Sequence, residues 1–146
     1  LHITVFDSRI GVVLAAAIAG RPMLGPAFEQ LLAVADFGWT PCDPPRWWRL
    51  QRDEPRALQT IVVEVDAPGL LAFFGACARE LAAVAGDDEL PVWQPPPPHI
   101  TLYTSDAEGK QGIGLHAPED LERAAQRGRA GDDSGLRAFR IAPMVP

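Results

Sequence analysis

His2-Ile3-Thr4-Val5-Phe6 and His99-Ile100-Thr101-Leu102-Tyr103 set out the same pattern twice in a chain that holds three histidines among 146 residues. Each copy places an imidazole two positions before a hydroxyl and ends on an aliphatic residue and an aromatic one. Side chains alternate between the two faces of a β-strand. In a strand, His2 and Thr4 therefore share a face with Phe6, and His99 and Thr101 share one with Tyr103. Ile3 and Val5, like Ile100 and Leu102, then point to the opposite side, the natural core face. Two such strands set side by side would bring two imidazoles and two hydroxyls into one cleft.

That group of side chains suits phosphodiester cleavage. One neutral imidazole takes a proton from the attacking water or hydroxyl, and one imidazolium returns a proton to the leaving oxygen. Histidine's ordinary pKa of about 6.5 lets either state exist near neutrality. The two threonine hydroxyls can donate to the non-bridging oxygens, where negative charge concentrates. Neither a metal nor another cofactor is called for, and no C-x-x-C or H-x-x-x-H spacing offers metal ligands.

The elements that must position these groups read as follows. Leu1 to Phe6 is a strand candidate, and Gly11 to Gly20 is apolar all round and ambiguous in type. Pro26 fits the first turn of a helix that carries Phe28, Leu31, Leu32 and Ala35 inward and stops near Gly38. Thr40 to Pro45 reads as a loop. Arg46 to Arg52 reads as a strand with Trp48 and Leu50 on one face, and Leu58 to Asp66 as one in which Ile61, Val63 and Val65 alternate with Thr60, Glu64 and Asp66. Pro68 opens the clearest helix, where Leu70, Phe74, Cys77, Leu81 and Val84 form one apolar stripe widened by Phe73, and Gly86 suits its stop. Pro95 to Pro98 should be extended. A loop from Ser105 to Gly114, a helix from Pro118 to Arg127 and a closing strand from Leu136 to Ile141 complete the chain. The fold class is α+β, and with no linker in view residues 1–146 read as a single domain.

Here the chain resembles the 2H phosphoesterase superfamily, which includes bacterial RNA 2′,3′-cyclic phosphodiesterases once called 2′-5′ RNA ligases. The family signature is two copies of H-x-(S/T)-h, with h apolar, and residues 2–5 and 99–102 both match it. The two histidines lie 97 positions apart (99 minus 2), room for the strand and helix units expected between them. The resemblance implies a bilobal fold, with two pseudo-symmetric antiparallel sheets, helices packed outside and a central cleft. It implies His2 and His99 as the acid-base pair and Thr4 and Thr101 as the phosphate-binding hydroxyls. Phe6 and Tyr103 are then candidates either to stack on a base or to fill the junction between lobes. Family members usually carry a strand and a helix before the first motif, and this chain does not, so either those residues were removed or the first lobe is built differently. With no initiator Met and only Leu1 before His2, we expect a chain trimmed at its start.

The implied partner is an RNA end or a small nucleotide bearing a cyclic phosphate, met by a monomer. The alternative is a non-catalytic module that binds such an end. A net charge of −6 argues against a broad nucleic-acid-binding face but leaves room for a local phosphate site. The apolar run Ile10–Ala19 is too short to span a bilayer. No basic region precedes it, so a cytoplasmic protein without a membrane partner is expected. Cys42 and Cys77 read as free thiols.

Other motifs have plainer readings. His116 stands at a helix entry and suits capping or exposure. R-W-W-R reads as a strand with one packed Trp and solvated arginines, rather than a nucleotide surface. E-G-K-Q-G-I-G lacks the P-loop pattern and reads as a hairpin loop.

Overall fold

The computed structural model describes residues 8–54, 56–85, 94–106, 112–132 and 135–142. The first H-I-T stretch, with His2, Thr4 and Phe6, lies outside the described residues. The elements run α1 (Ser8–Gly20), α2 (Leu24–Val34), β1 (Thr40–Pro41), β2 (Trp47–Arg52), β3 (Leu58–Asp66), α3 (Pro68–Ala85), β4 (His99–Thr104), α4 (Asp120–Ala130) and β5 (Arg137–Ile141). The fold is α+β. Contacts divide the chain into two compact units: Thr40–Asp66 with the described residues from Pro96 on, and the described residues of Val5–Trp39 and Ala67–Pro95.

The second unit is helical throughout its described elements. Pro68 opens α3, where its fixed φ and missing N–H carry no penalty. Leu70, Phe74, Cys77 and Leu81 form the predicted stripe and are buried, together with Phe73. Val84, the last residue of that stripe, is 44% exposed near the end of the helix. In α2, Leu24 is buried and Phe28, Leu31 and Ala35 follow it at helical spacing as half-buried residues, whereas Leu32 faces solvent. The helix stops at Val34 rather than near Gly38, because Ala35 turns to an extended conformation (ψ 135°).

The ring of Phe73 meets those of Phe28, Phe37 and Phe74 at 5.2–6.2 Å between centroids, within the favourable range for tilted and edge contacts. Gly69 is required where the loop after α2 passes α3. A Cβ there would sit 1.9 Å from the backbone oxygen of Asp36. The apolar run read as ambiguous is α1, with Ile10, Leu14, Ala17 and Ile18 on its less exposed side.

The first unit is a five-stranded antiparallel sheet with α4 against it. β3 is its centre and pairs with β1, β2 and β4, while β5 pairs with the outer side of β2. Thr40 and Pro41, read as loop, pair with Asp66 and Val65 as the short β1. Among the described residues this is the one sheet; the matching sheet of a symmetric second lobe is not among them, since residues 8–34 are mostly helical.

The buried side of β3 is not the expected one. Leu58, Thr60 and Val62 are fully buried, with Leu50 of β2 and Ala138 of β5, under Leu121, Ala124 and Ala125 of α4. Ile61 and Val63 are only half-buried, although Val65 is buried. A buried threonine is tolerable because its hydroxyl has a partner: Thr60 Oγ1 accepts the backbone N–H of Ile113 at 2.9 Å. That bond ties the segment holding Ile113 and Leu115 over the sheet, where both side chains join the core.

Small residues let α4 lie close. A Cβ on Gly128 would fall 2.6 Å from the Ala138 carbonyl oxygen. Asp120 Oδ2 accepts the backbone N–H groups of His116 (2.7 Å) and Ala117 (2.9 Å), which ties down the entry to α4. Gly131, at φ 67°, closes the helix in the left-handed conformation that glycine adopts at least cost.

Candidate functional site

Two proline carbonyls lead into β4. Proline has no N–H to offer a ladder, but its carbonyl is a full acceptor. Pro98 O accepts the N–H of Val65 at 3.1 Å and so starts the pairing with β3. Pro97 O lies 2.6 Å from His99 Nδ1. A carbonyl can only accept, so Nδ1 carries the proton and donates it. Nε2 of a neutral ring is then left with a free lone pair, the tautomer of a general base.

The ring is half-buried, and burial lowers its pKa below the ordinary histidine value. The Pro97 bond and the charge of Glu64 oppose that shift and do not overcome it. His99 is thus held neutral at pH 7.

Glu64 is the cross-strand partner of His99. Its carboxylate is bound on both oxygens, one accepting the indole N–H of Trp48 and the other 3.1 Å from Arg46 Nη2. Arg46 Nη2 also donates to Cys42 Sγ at 3.2 Å, and the Cys42 thiol reaches toward Asp66 Oδ1 at 3.8 Å. The Cys42 sulfur first, and the Glu64 charge after it, raise the pKa of Arg46 and hold it firmly cationic. Cys42 and Cys77 are both free thiols.

Thr101 pairs with Val62 and His99 with Glu64, two positions apart on β3, so His99 and Thr101 share a face as the alternation predicts. Thr101 is exposed. Along a strand the two side chains stand roughly 6.6 Å apart, about the span of a phosphoryl group hydrogen-bonded on both sides.

Tyr103 is a correction. The register slips between Ile61 and Val62, so Tyr103 pairs with Ile61 and sits on the opposite face from His99 and Thr101. The bulge inserts one residue, and past it every side chain changes side. Tyr103 is 54% exposed rather than filling a junction. Ile100 is buried as expected, but Leu102, the extra residue of the bulge, is 38% exposed instead of joining it on a core face.

Of the six candidate residues, then, His99 and Thr101 stand together, Tyr103 stands apart, and His2, Thr4 and Phe6 are outside the described residues. The acidic and basic partners of this end of the sheet, Glu64 and Arg46, were read from sequence as solvent-side residues. Their one sequence signal was a carboxylate interrupting the apolar run Ile61–Val65. The R-W-W-R strand otherwise matches its plain reading, with Trp48 and Leu50 on the core side. Arg49 is not simply solvated: its guanidinium lies 5.1 Å from the centroid of the Phe139 ring.

Among the described residues, no three His, Cys, Asp or Glu side chains gather closely enough to hold a metal ion. No helix among them is long and apolar enough to cross a membrane. No protein-family model, curated protein or solved structure matches the chain.

Proposed function

We propose that this chain is a metal-independent phosphodiesterase acting on a 2′,3′-cyclic phosphate or a 2′-5′ phosphodiester, at an RNA end or in a small nucleotide. The observation that carries the reading is the state of His99: a neutral, half-buried imidazole with Nδ1–H fixed on Pro97 O and Nε2 left free. The exposed Thr101 hydroxyl on the same face is the second support.

In this reading His99 Nε2 takes the proton of an attacking water as its oxygen bonds to phosphorus. The bond to one ribose oxygen breaks, and the imidazolium of His2 gives that oxygen its proton. Thr101 and Thr4 donate to the two non-bridging oxygens as charge builds there. The reading requires a second sheet that carries His2 and Thr4 across a cleft from β4.

The test is hydrolysis of 2′,3′-cyclic nucleotides followed by phosphorus NMR in the presence of a chelator. His99→Ala is expected to lower the rate by roughly 100- to 10,000-fold, and His2→Ala by a comparable factor. Full activity in either variant, or strict dependence on added divalent metal, overturns the mechanism. Saturable binding of the cyclic nucleotide without product would replace it with an RNA-end-binding module.

A further inference from the structure

A cavity of about 300 Å³ opens between α4 and the edge of the sheet formed by β2 and β5. Trp48 and Ala138 line its sheet side, and Gly128 and Arg129 its helix side, with Arg140 of β5 beside Trp48. Trp48 and Arg140 are cross-strand partners. We propose that this cavity binds the phosphate of a mononucleotide, with Arg129 and Arg140 on the phosphate and the Trp48 indole against the base. The proposal stands independently of any catalysis at His99.

Charge points to an anion. In the same unit Arg46, Arg56, Arg123 and Arg137 each have a carboxylate partner. Among the described residues, Arg49, Arg52, Arg127, Arg129 and Arg140 have none, and of these Arg129 and Arg140 are the two that line the cavity, in a chain whose net charge is −6. Both are exposed, so their guanidinium groups reach the cavity at little desolvation cost. Guanidinium binds phosphate through paired, charge-assisted N–H bonds. The last turn of α4 presents its carbonyl end nearby, equivalent to roughly half a negative charge; two whole positive charges outweigh it.

Size and shape point to a small aromatic ligand. The volume lies at the lower end of the range, about 300–1,000 Å³, that takes small organic molecules. The cavity also has a fixed wall. Trp48 Nε1 donates to Glu64, which sets the orientation of its ring, and the absence of a side chain at Gly128 leaves the helix close to β5. An indole held by a hydrogen bond is a stacking surface that loses little entropy when a base covers it.

Titration calorimetry on the full chain with 5′-AMP, inorganic phosphate and adenosine tests the assignment. AMP should bind saturably, phosphate should compete with it, adenosine should bind far more weakly, and added salt should weaken AMP binding. The double variant Arg129→Ala/Arg140→Ala removes only exposed side chains and should bind AMP about tenfold more weakly or worse. Adenosine binding as tightly as AMP, no saturation by AMP, or an unchanged double variant each overturns the proposal. His99→Ala separates the two sites. AMP binding retained in that variant supports a separate cavity, whereas binding lost there and kept in the double variant would place the nucleotide at His99.

Discussion

The two units are stabilised by different means. In the helical unit the described contacts are almost wholly apolar: the Phe73 ring against three other phenylalanines, and a stripe of Leu70, Phe74, Cys77 and Leu81 on α3. Its buried titratable group, Cys77, is kept neutral by burial, which pushes the thiol up to about 11. The sheet unit combines an apolar core with polar groups set at fixed points: a buried threonine bonded across 53 residues of chain, a carboxylate bound on both oxygens and a histidine tied to a proline carbonyl. Apolar packing is non-directional and tolerates several arrangements of similar volume. Polar groups inside a fold hold one geometry or cost free energy. The chemistry proposed for this chain, base and nucleotide cavity alike, accordingly lies in the unit where geometry is fixed.

The largest expected stability effect tests the apolar half of that contrast. Phe74 is almost fully buried in the helical unit. Phe74→Ala should cost about 3–5 kcal/mol, read from urea unfolding midpoints at constant slope. A loss below about 1 kcal/mol, the level of ordinary surface and mild substitutions, would mean that this unit does not rest on its phenylalanine cluster.

A smaller effect is expected from the polar half. Thr60→Val keeps the shape of the side chain and removes the acceptor for the Ile113 N–H. An orphaned buried donor costs about 1–3 kcal/mol, so unfolding should shift by that amount despite the added apolar group. Amide exchange at Ile113 should also speed up. Unchanged or raised stability would show that the buried hydroxyl is a passive filler, and the contrast between the units would fail.

Several elements were legible in the sequence because their signals are local. The stripe on α3 follows from side-chain spacing and Pro68, and the shared face of Trp48 and Leu50 from simple alternation. The readings that failed needed partners far away in the chain. Ile61 and Val63 look more core-like than Thr60, but Thr60 shares its face with the buried Leu58 and Val62, and the distant Ile113 N–H satisfies its hydroxyl there. Tyr103 was placed on the face of His99 by strict alternation, and nothing in H-I-T-L-Y-T marks Leu102 as an extra residue, left unpaired opposite the step from Val62 to Ile61 on the partner strand. The cavity was invisible for the same reason, since Trp48 and Arg140 meet only through the β2–β5 register. For the candidate site, the same-face relation of His99 and Thr101 was legible, whereas Glu64 and Arg46 emerged only with the pairing of β3.

The smallest effect expected is a pH dependence confined to the sheet unit. Burial lowers the folded-state pKa of His99, while the unfolded chain titrates near 6.5. The unfolded state therefore binds this proton more readily, and stability rises with pH across the interval. The contribution is complete above about 6.5 and fades as pH falls from there through the folded value. Below that value both states are protonated and nothing further is lost. Glu64 faces the imidazole from β3, with Arg46 on its other side, and its charge pulls the pKa upward; burial is the larger cause and sets the sign. Comparing urea midpoints between pH 8 and pH 5 for the native chain and His99→Asn isolates the imidazole, since the carboxylates are common to both. The native chain should lose the more stability on acidification. Parallel curves, or a native chain that gains stability toward acid, would show that the ring is not held neutral, and would remove the physical basis for calling it a base.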